Sequence, residues 1–373
     1  MTGPQETEKD VLRVSNLRVN FNTYAGAVKA LDGVDLTVRK GEVLGLVGES
    51  GCGKSVTSLA IAGLLPQNAV VLGGTVLLGE RDVLKMSKKD LQTARLEEVA
   101  IVFQDPMTFL NPVLSIGRQI TEIMSTRPEL FTGRLINFRL AEIKRGGDPS
   151  SAAEETRLRA ALANRRLGRG DFNRLKQAYA ASVLADVGLP EPAKILKMFP
   201  FELSGGMRQR VMIAMALVRR PKLLLADEIT TALDVTVQAQ VLQLLRDLKD
   251  EIDASILLIT HDLAVIAELC DRVAVMYAGN IVEVADVVEL FKNPLHPYTV
   301  GLLGSVPRVD VQSAVGEASI QGSVPDLINP PTGCRFHPRC PKAFGECPQV
   351  KPQLLEISPG HVVSCLLFGG KKP

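Results

Sequence analysis

VLGLVGESGCGKS, residues 43–55, runs from five apolar residues into a glycine-rich loop that ends in a lysine and a serine. VLGLV has the short, unbroken apolar character of a strand buried on both faces. GESGCGKS, residues 48–55, fits G-x-x-x-x-G-K-[ST] at every fixed position, and SVTSLAIAGLL after it has helical spacing up to Pro66. Strand, glycine loop and helix are the setting in which this motif binds phosphate. Glycines let the backbone close around an anion while the amide N–H groups and the helix N-terminus face it. Gly48, Glu49, Ser50, Gly51, Cys52, Gly53, Lys54, Ser55 and the following Val56 are therefore expected to contact a nucleotide. Lys54 would reach its β- and γ-phosphates, and Ser55 would supply an oxygen to Mg²⁺.

A second apolar run, KLLLADE at residues 222–228, predicts a strand that carries Asp227 to its C-terminal end, where ligands bind in parallel α/β sheets. Asp227 is the expected Mg²⁺ partner, and Glu228 beside it is placed to polarise an attacking water.

The bulk properties agree with a soluble enzyme. The chain has 373 residues, enough for two or three domains, with 46% hydrophobic and 23% charged residues and a net charge of +2. That balance gives no ground for expecting a nucleic-acid partner. MTGPQETEKD is polar and no apolar leader follows, and no uninterrupted apolar stretch is long enough for a membrane span. A cytosolic location follows, and in that reducing space clustered cysteines point to metal or redox chemistry more than to disulfides.

Between the two phosphate motifs lies LSGGMRQR, residues 203–210. With it, the sequence resembles the nucleotide-binding subunit of an ABC transporter, from about residue 12 to residue 365. The resemblance implies an α/β fold: a RecA-like P-loop core, an N-terminal antiparallel β subdomain, an inserted α-helical subdomain and a small Cys-rich C-terminal extension. The ATPase domain would span 10–290, with the helical subdomain at about 107–205 enlarged at 127–176, and the extension would span 291–373. The antiparallel sheet is expected around LRVSNLRVNF and VDLTV.

The resemblance also implies roles. Two such subunits close face to face, so that Ser204, Gly205 and Gly206 bind the γ-phosphate of the ATP held by the partner. Gln104 in VFQDP matches the Q-loop that senses metal and water; Asp234 ends the D-loop; His261 in LLITHD matches the switch histidine. Tyr24 fits the aromatic that stacks on adenine, with Phe21 as a rival. Glu228, His261, Gln104 and Lys54 thus form the expected catalytic set, and Ser55, Gln104 and Asp227 the Mg²⁺ set. Ile229 departs from the pattern, standing where proline usually follows the glutamate.

A narrower resemblance comes from NPLHPYTVGLL (293–303), FQDPMTFLNPVLSIGRQI (103–120), DVTVQAQVL (234–242) and Val56. These are similar to the D-type ATP-binding subunits of oligopeptide and dipeptide importers. The implied partners are a paralogous F-type ATPase, two transmembrane permease subunits and an extracytoplasmic substrate-binding protein. The implied location is the cytoplasmic side of the inner membrane, held peripherally. Relatives of this kind also move nickel, glutathione or oligosaccharides, and no residue of the ATPase is expected to touch cargo. A soluble ABC protein acting on nucleic acid, or a nucleotide-binding regulator without turnover, are the competing classes.

Residues 127–176 carry twelve Lys and Arg against six Asp and Glu, which reads as a solvated face or as a patch for anionic lipid headgroups. The last forty residues hold Cys334, Cys340, Cys347 and Cys365, spaced C-x5-C-x6-C-x17-C. From the residues alone, four thiols with His337 and His361 nearby suit zinc. The resemblance implies a [4Fe–4S] cluster on the four cysteines instead. Cys52 and Cys270 read as buried packing residues.

Overall fold

The computed structural model describes residues 10–103, 105–146, 151–229, 235–252, 254–305 and 320–369. They form two compact units. The first comprises the described residues of 1–101, 222–228 and 246–373; the second, those of 102–221 and 229–245.

Strands of the first unit, in chain order, are β1 (Asp10–Thr23), β2 (Gly26–Arg39), β3 (Val43–Val47), β4 (Ala69–Leu78), β5 (Arg81–Asp82) and β6 (Val99–Val102). After the second unit the chain returns with β7 (Leu223–Asp227), β8 (Ser255–Thr260), β9 (Arg272–Tyr277), β10 (Asn280–Asp286), β11 (Leu355–Ser358) and β12 (His361–Val363). An antiparallel sheet of order β2-β1-β4-β5 matches the expected N-terminal subdomain. Its strands run longer than the hydrophobic pattern marks. Register shifts in β1, between Val14 and Leu17 and again between Val19 and Phe21, re-aim its side chains and conceal strict alternation.

The second sheet has the order β11-β12-β10-β9-β3-β8-β7-β6. Its centre is parallel: β3 pairs with β8 and β9, and β7 with β8. All of β3, β7 and β8 is buried, which is why these strands read as continuous apolar runs. Each enclosed Val, Leu or Ile side chain there contributes about 1.5–3 kcal/mol relative to exposure. Val47 lies opposite Thr260, and Asp227 opposite Ile259, so the three strands end in line. That register delivers the phosphate loop, His261 and Glu228 side by side. The cysteine-bearing tail is continuous with this sheet, because β12 pairs antiparallel with β10, and β11 with β12.

The second unit is helical. Its longer helices are Ile116–Thr126, Pro128–Gly146, Ala152–Ala163, Arg169–Asp186 and Gly205–Leu217, with the beginning of Val235–Ile252. Ile116, Ile120, Phe131, Leu135, Tyr179 and Leu184 build its core. Part of the basic charge at 127–176 is paired within the unit. Arg139 pairs with Glu142 at 3.2 Å and Glu154 at 2.9 Å, Arg174 with Glu154 at 2.6 Å, and Arg157 with Asp171 at 3.1 Å. The Arg139 and then the Arg174 guanidinium hold the Glu154 carboxyl down at about 2. No helix among the described residues is long and apolar enough to cross a membrane.

Candidate nucleotide site and cysteine tail

The loop after β3 is shaped by close backbone approach. A Cβ on Gly48 would meet the Met276 carbonyl at 2.1 Å, and one on Gly53, at φ +112°, would meet Leu31 at 2.8 Å. Only glycine fits either place. Lys54 is buried at the start of the helix Lys54–Ile61, and its ammonium donates to the carbonyls of Gly48 (2.8 Å) and Glu49 (3.0 Å). Cys52 is fully buried beneath the loop, and burial pushes its thiol up, which suits packing better than oxidation chemistry. Ser50, Gly51 and Ser55 face solvent, and Val56 packs on the core below.

At the end of β7, Asp227 accepts from Ser55 Oγ and from Ser58 Oγ, both at 3.3 Å. Burial, and then the neighbouring Glu228, raise the Asp227 carboxyl above the usual range, against the pull of both hydroxyls. A carboxylate and hydroxyl oxygens gathered on one spot are a hard donor set that fits Mg²⁺, whose charge would return Asp227 to its ionised form. Ser58 was missed in the sequence, although it lies three residues after Ser55 on the same helix face.

Glu228 follows at φ +50°, with its N–H donating to the Ile259 carbonyl at 2.8 Å. A left-handed conformation at a residue with a side chain costs on the order of 1–2 kcal/mol, and here it falls immediately after β7 ends at Asp227. Glu228 Oε1 lies 3.5 Å from His261 Nδ1, and that imidazole is more than half exposed. Ile229 after it is buried. Tyr24 is fully exposed at the β1–β2 turn, whereas Phe21 packs against the core. In the helical unit, Ser204 caps the helix Gly205–Leu217 by accepting from Met207 N–H at 3.3 Å, and Ser204 and Gly205 are exposed there. Gln104 and Asp234 lie outside the described residues.

The segment after β10 packs directly behind the loop. His296 Nδ1 accepts from Tyr298 N–H at 3.0 Å, capping the helix Pro297–Gly304, and the Tyr298 hydroxyl accepts from Glu49 N–H at 2.9 Å. Burial holds His296 neutral, its pKa depressed to about 3. Because that value lies below the unfolded histidine's ~6.5, the unfolded chain binds the extra proton. This contribution to stability is complete above pH ~6.5 and is lost as pH falls toward 3, at about 1.4 kcal/mol per unit. Thermal unfolding at pH 7, 6 and 5 should show it as an acid slope steeper in the wild type than in His296→Asn. Parallel curves would mean that His296 is not the group being protonated.

In the tail, all four cysteines are free thiols. Cys334 N–H donates to the Cys347 carbonyl at 2.8 Å, and Phe344 N–H to Cys347 Sγ at 3.5 Å. Burial, and then the three other thiols, push Cys334 up to about 11. The donor chemistry fits a four-thiolate group, but among the described residues no three His, Cys, Asp or Glu side chains are drawn together tightly enough to hold a metal ion. The two histidines are engaged elsewhere: His337 Nδ1 lies 2.9 Å from the Cys334 carbonyl, and His361 Nε2 lies 2.8 Å from Glu283.

Comparison with known proteins follows the same division. The ABC transporter family matches residues 31–231, and the family described as oligopeptide/dipeptide transporter, C-terminal region, matches residues 282–347. A dipeptide transport ATP-binding protein of Bacillus subtilis is 43% identical over 358 residues, covering 96% of this chain and 94% of that protein. An oligopeptide transport ATP-binding protein of Salmonella typhimurium is 42% identical over 355 residues, covering 95% and 93%. Among solved structures, a dimeric bacterial ABC transporter cassette superposes with a TM-score of 0.56 at 22% identity, over 74% of this chain and 98% of that one, which shows the shared fold. The phosphate loop, the aspartate–glutamate pair and a tail built into the central sheet therefore have one source: the chain belongs to the ABC transporter ATPases, among the ATP-binding subunits of oligopeptide and dipeptide transporters.

Proposed function

We propose that this chain hydrolyses ATP to power import of dipeptides or oligopeptides through a membrane permease. The observation that supports it most is the alignment of three strand ends. These put the Lys54 loop, the Ser55–Asp227 oxygens and the Glu228–His261 pair at one edge of a parallel sheet. Asp227 and Ser55, with Gln104, would hold Mg²⁺ on the β- and γ-phosphates, and the metal would offset charge on the transferring group. Glu228 would take the proton of the attacking water, and His261 would hydrogen-bond the γ-phosphate. Tyr24, free at its turn, would stack on adenine.

Ser204, Gly205 and Gly206 would close the site on the ATP of a paralogous F-type subunit, with Asp234 at the shared face, making two composite sites. Two permease subunits and an extracytoplasmic binding protein complete the assembly, which holds this subunit on the cytoplasmic side of the inner membrane. Peptide cargo is favoured over nickel, glutathione or oligosaccharide by the similarity over nearly the full chain to peptide transport ATP-binding proteins. Deleting the gene should abolish uptake of labelled di- or oligopeptides, with restoration by the wild-type copy. Unchanged peptide uptake with loss of nickel, glutathione or oligosaccharide uptake would reassign the cargo.

Cys334, Cys340, Cys347 and Cys365 would hold a [4Fe–4S] cluster in a structural or sensing role, supported by the donor chemistry of four free thiols in one tail. Anaerobically purified protein should contain about four irons and four acid-labile sulfides per chain, with a broad absorption band near ~400 nm. About one zinc and no iron would make the tail a zinc site instead.

A further inference from the structure

The nucleotide loop contains a carboxylate that its motif does not require. Glu49 occupies a variable position, beside the groups expected to carry a polyphosphate. An unopposed carboxylate there repels ATP, and the repulsion is strong wherever protein displaces water. The structure opposes it from the far end of the chain. Arg339 donates from Nη1 to Glu49 Oε2 at 2.6 Å and from Nη2 to Oε1 at 3.0 Å, a two-pronged pair. The Arg339 side chain is only 8% exposed. It is itself fixed by the carbonyls of Gln321 (2.9 Å) and Gly322 (3.0 Å), by the Tyr277 hydroxyl (3.3 Å), and by lying over the Tyr277 ring at 5.7 Å. Four residues earlier, Arg335 donates to the Ala278 carbonyl at 2.5 Å, and the adjacent Gly279 N–H donates to the Cys52 carbonyl at 2.7 Å. One short stretch of the cysteine-bearing tail thus holds both arms of the loop.

We propose that Arg339 is a positioning residue for ATP binding: it neutralises Glu49 and holds that carboxylate out of the phosphate path, so that the tail sets the affinity of the nucleotide loop. This rests on the ATPase reading above. Arg339 touches no reacting atom, so its loss acts on binding and not on the chemical step. The cysteines at 334 and 340 bracket the stretch, which makes the loop's ATP affinity responsive to whatever holds the tail in shape.

The test uses the full-length chain, with equilibrium binding of MgATP and steady-state ATPase in Arg339→Gln, Arg339→Lys and the double variant Arg339→Gln/Glu49→Gln. Arg339→Gln should raise Kd and KM for ATP about tenfold with kcat within about twofold of wild type. Arg339→Lys, which keeps the charge, should stay within about threefold. The double variant should recover most of the lost affinity, because no unneutralised carboxylate remains. The second substitution would also relieve a purely structural cost of the orphaned carboxylate, so Kd is read at a temperature where every variant is fully folded by its own melting curve, and recovery of affinity there supports the proposal. Unchanged Kd in Arg339→Gln, or a double variant as weak as the single one, would overturn it. A wild-type chain that fails to bind MgATP would instead remove the ATPase reading, and this inference with it.

Discussion

Glu228→Gln is expected to cut ATP turnover by at least about a hundredfold while leaving ATP binding intact. Glutamine has the same shape and keeps the polar contacts of the turn, so the φ of +50° and the N–H bond to Ile259 should survive. What disappears is the only property a general base needs, an oxygen that can take a proton from water. The effect of general-base removal spans about 10²–10⁴ in rate, and phosphoryl transfer depends on a positioned water more than on covalent help. In the proposed site binding rests on Lys54, Ser55 and the loop amides, so the variant should retain MgATP through gel filtration where the wild type releases ADP. Phosphate release and the identity of the retained nucleotide are the two readouts. Turnover near wild type in the variant would take the base role from Glu228, and would move attention to His261, whose Nδ1 lies 3.5 Å away.

The central sheet was legible because its strands are enclosed on both faces. VLGLV and KLLLADE have no polar interruption, and β3, β7 and β8 are buried along their whole length. The positions of the candidate site residues at those strand ends were legible for the same reason. The helical unit's basic composition does not show its pairing: Arg139, Arg157 and Arg174 are matched by acids up to 20 residues away, which net charge cannot reveal. The partnership of Glu49 with Arg339 spans 290 positions and leaves no periodic trace, since Glu49 lies in a loop and Arg339 in a single 3-10 turn, His337–Arg339. Nor does β11, exposed at each of its four residues, carry the alternation that marks a strand. As letters, Phe21 stood as a rival to Tyr24; only packing separates an exposed ring from a partly buried one.

The largest expected loss of stability is at Glu283, where the tail is tied to the central sheet. This residue sits in β10 with no exposed surface. Its Oε1 accepts from Leu295 N–H at 2.7 Å and lies 2.8 Å from His361 Nε2, while Oε2 accepts from His296 N–H at 2.9 Å. His361 in turn has Nδ1 3.6 Å from Glu289, so the imidazole stands between two carboxylates. One carboxylate thereby ties three segments together: β10, the residues leading into the helix Pro297–Gly304, and β12 of the cysteine tail. Glu283→Ala leaves two backbone donors and a buried imidazole without their acceptor, with no water able to replace it cheaply. Removing one partner of such a buried set costs about 3–5 kcal/mol. For a unit of this size that corresponds to a fall in melting temperature on the order of 10 °C. Glu283→Gln, which keeps one acceptor oxygen, should lose less. Because His296 and Tyr298 lie between Glu283 and the nucleotide loop, saturating MgATP should recover part of the loss in Glu283→Ala by stabilising the folded loop. A fall of less than about 2 °C would mean that the tail is held to the sheet by its strand pairing, and that Glu283 is incidental to it.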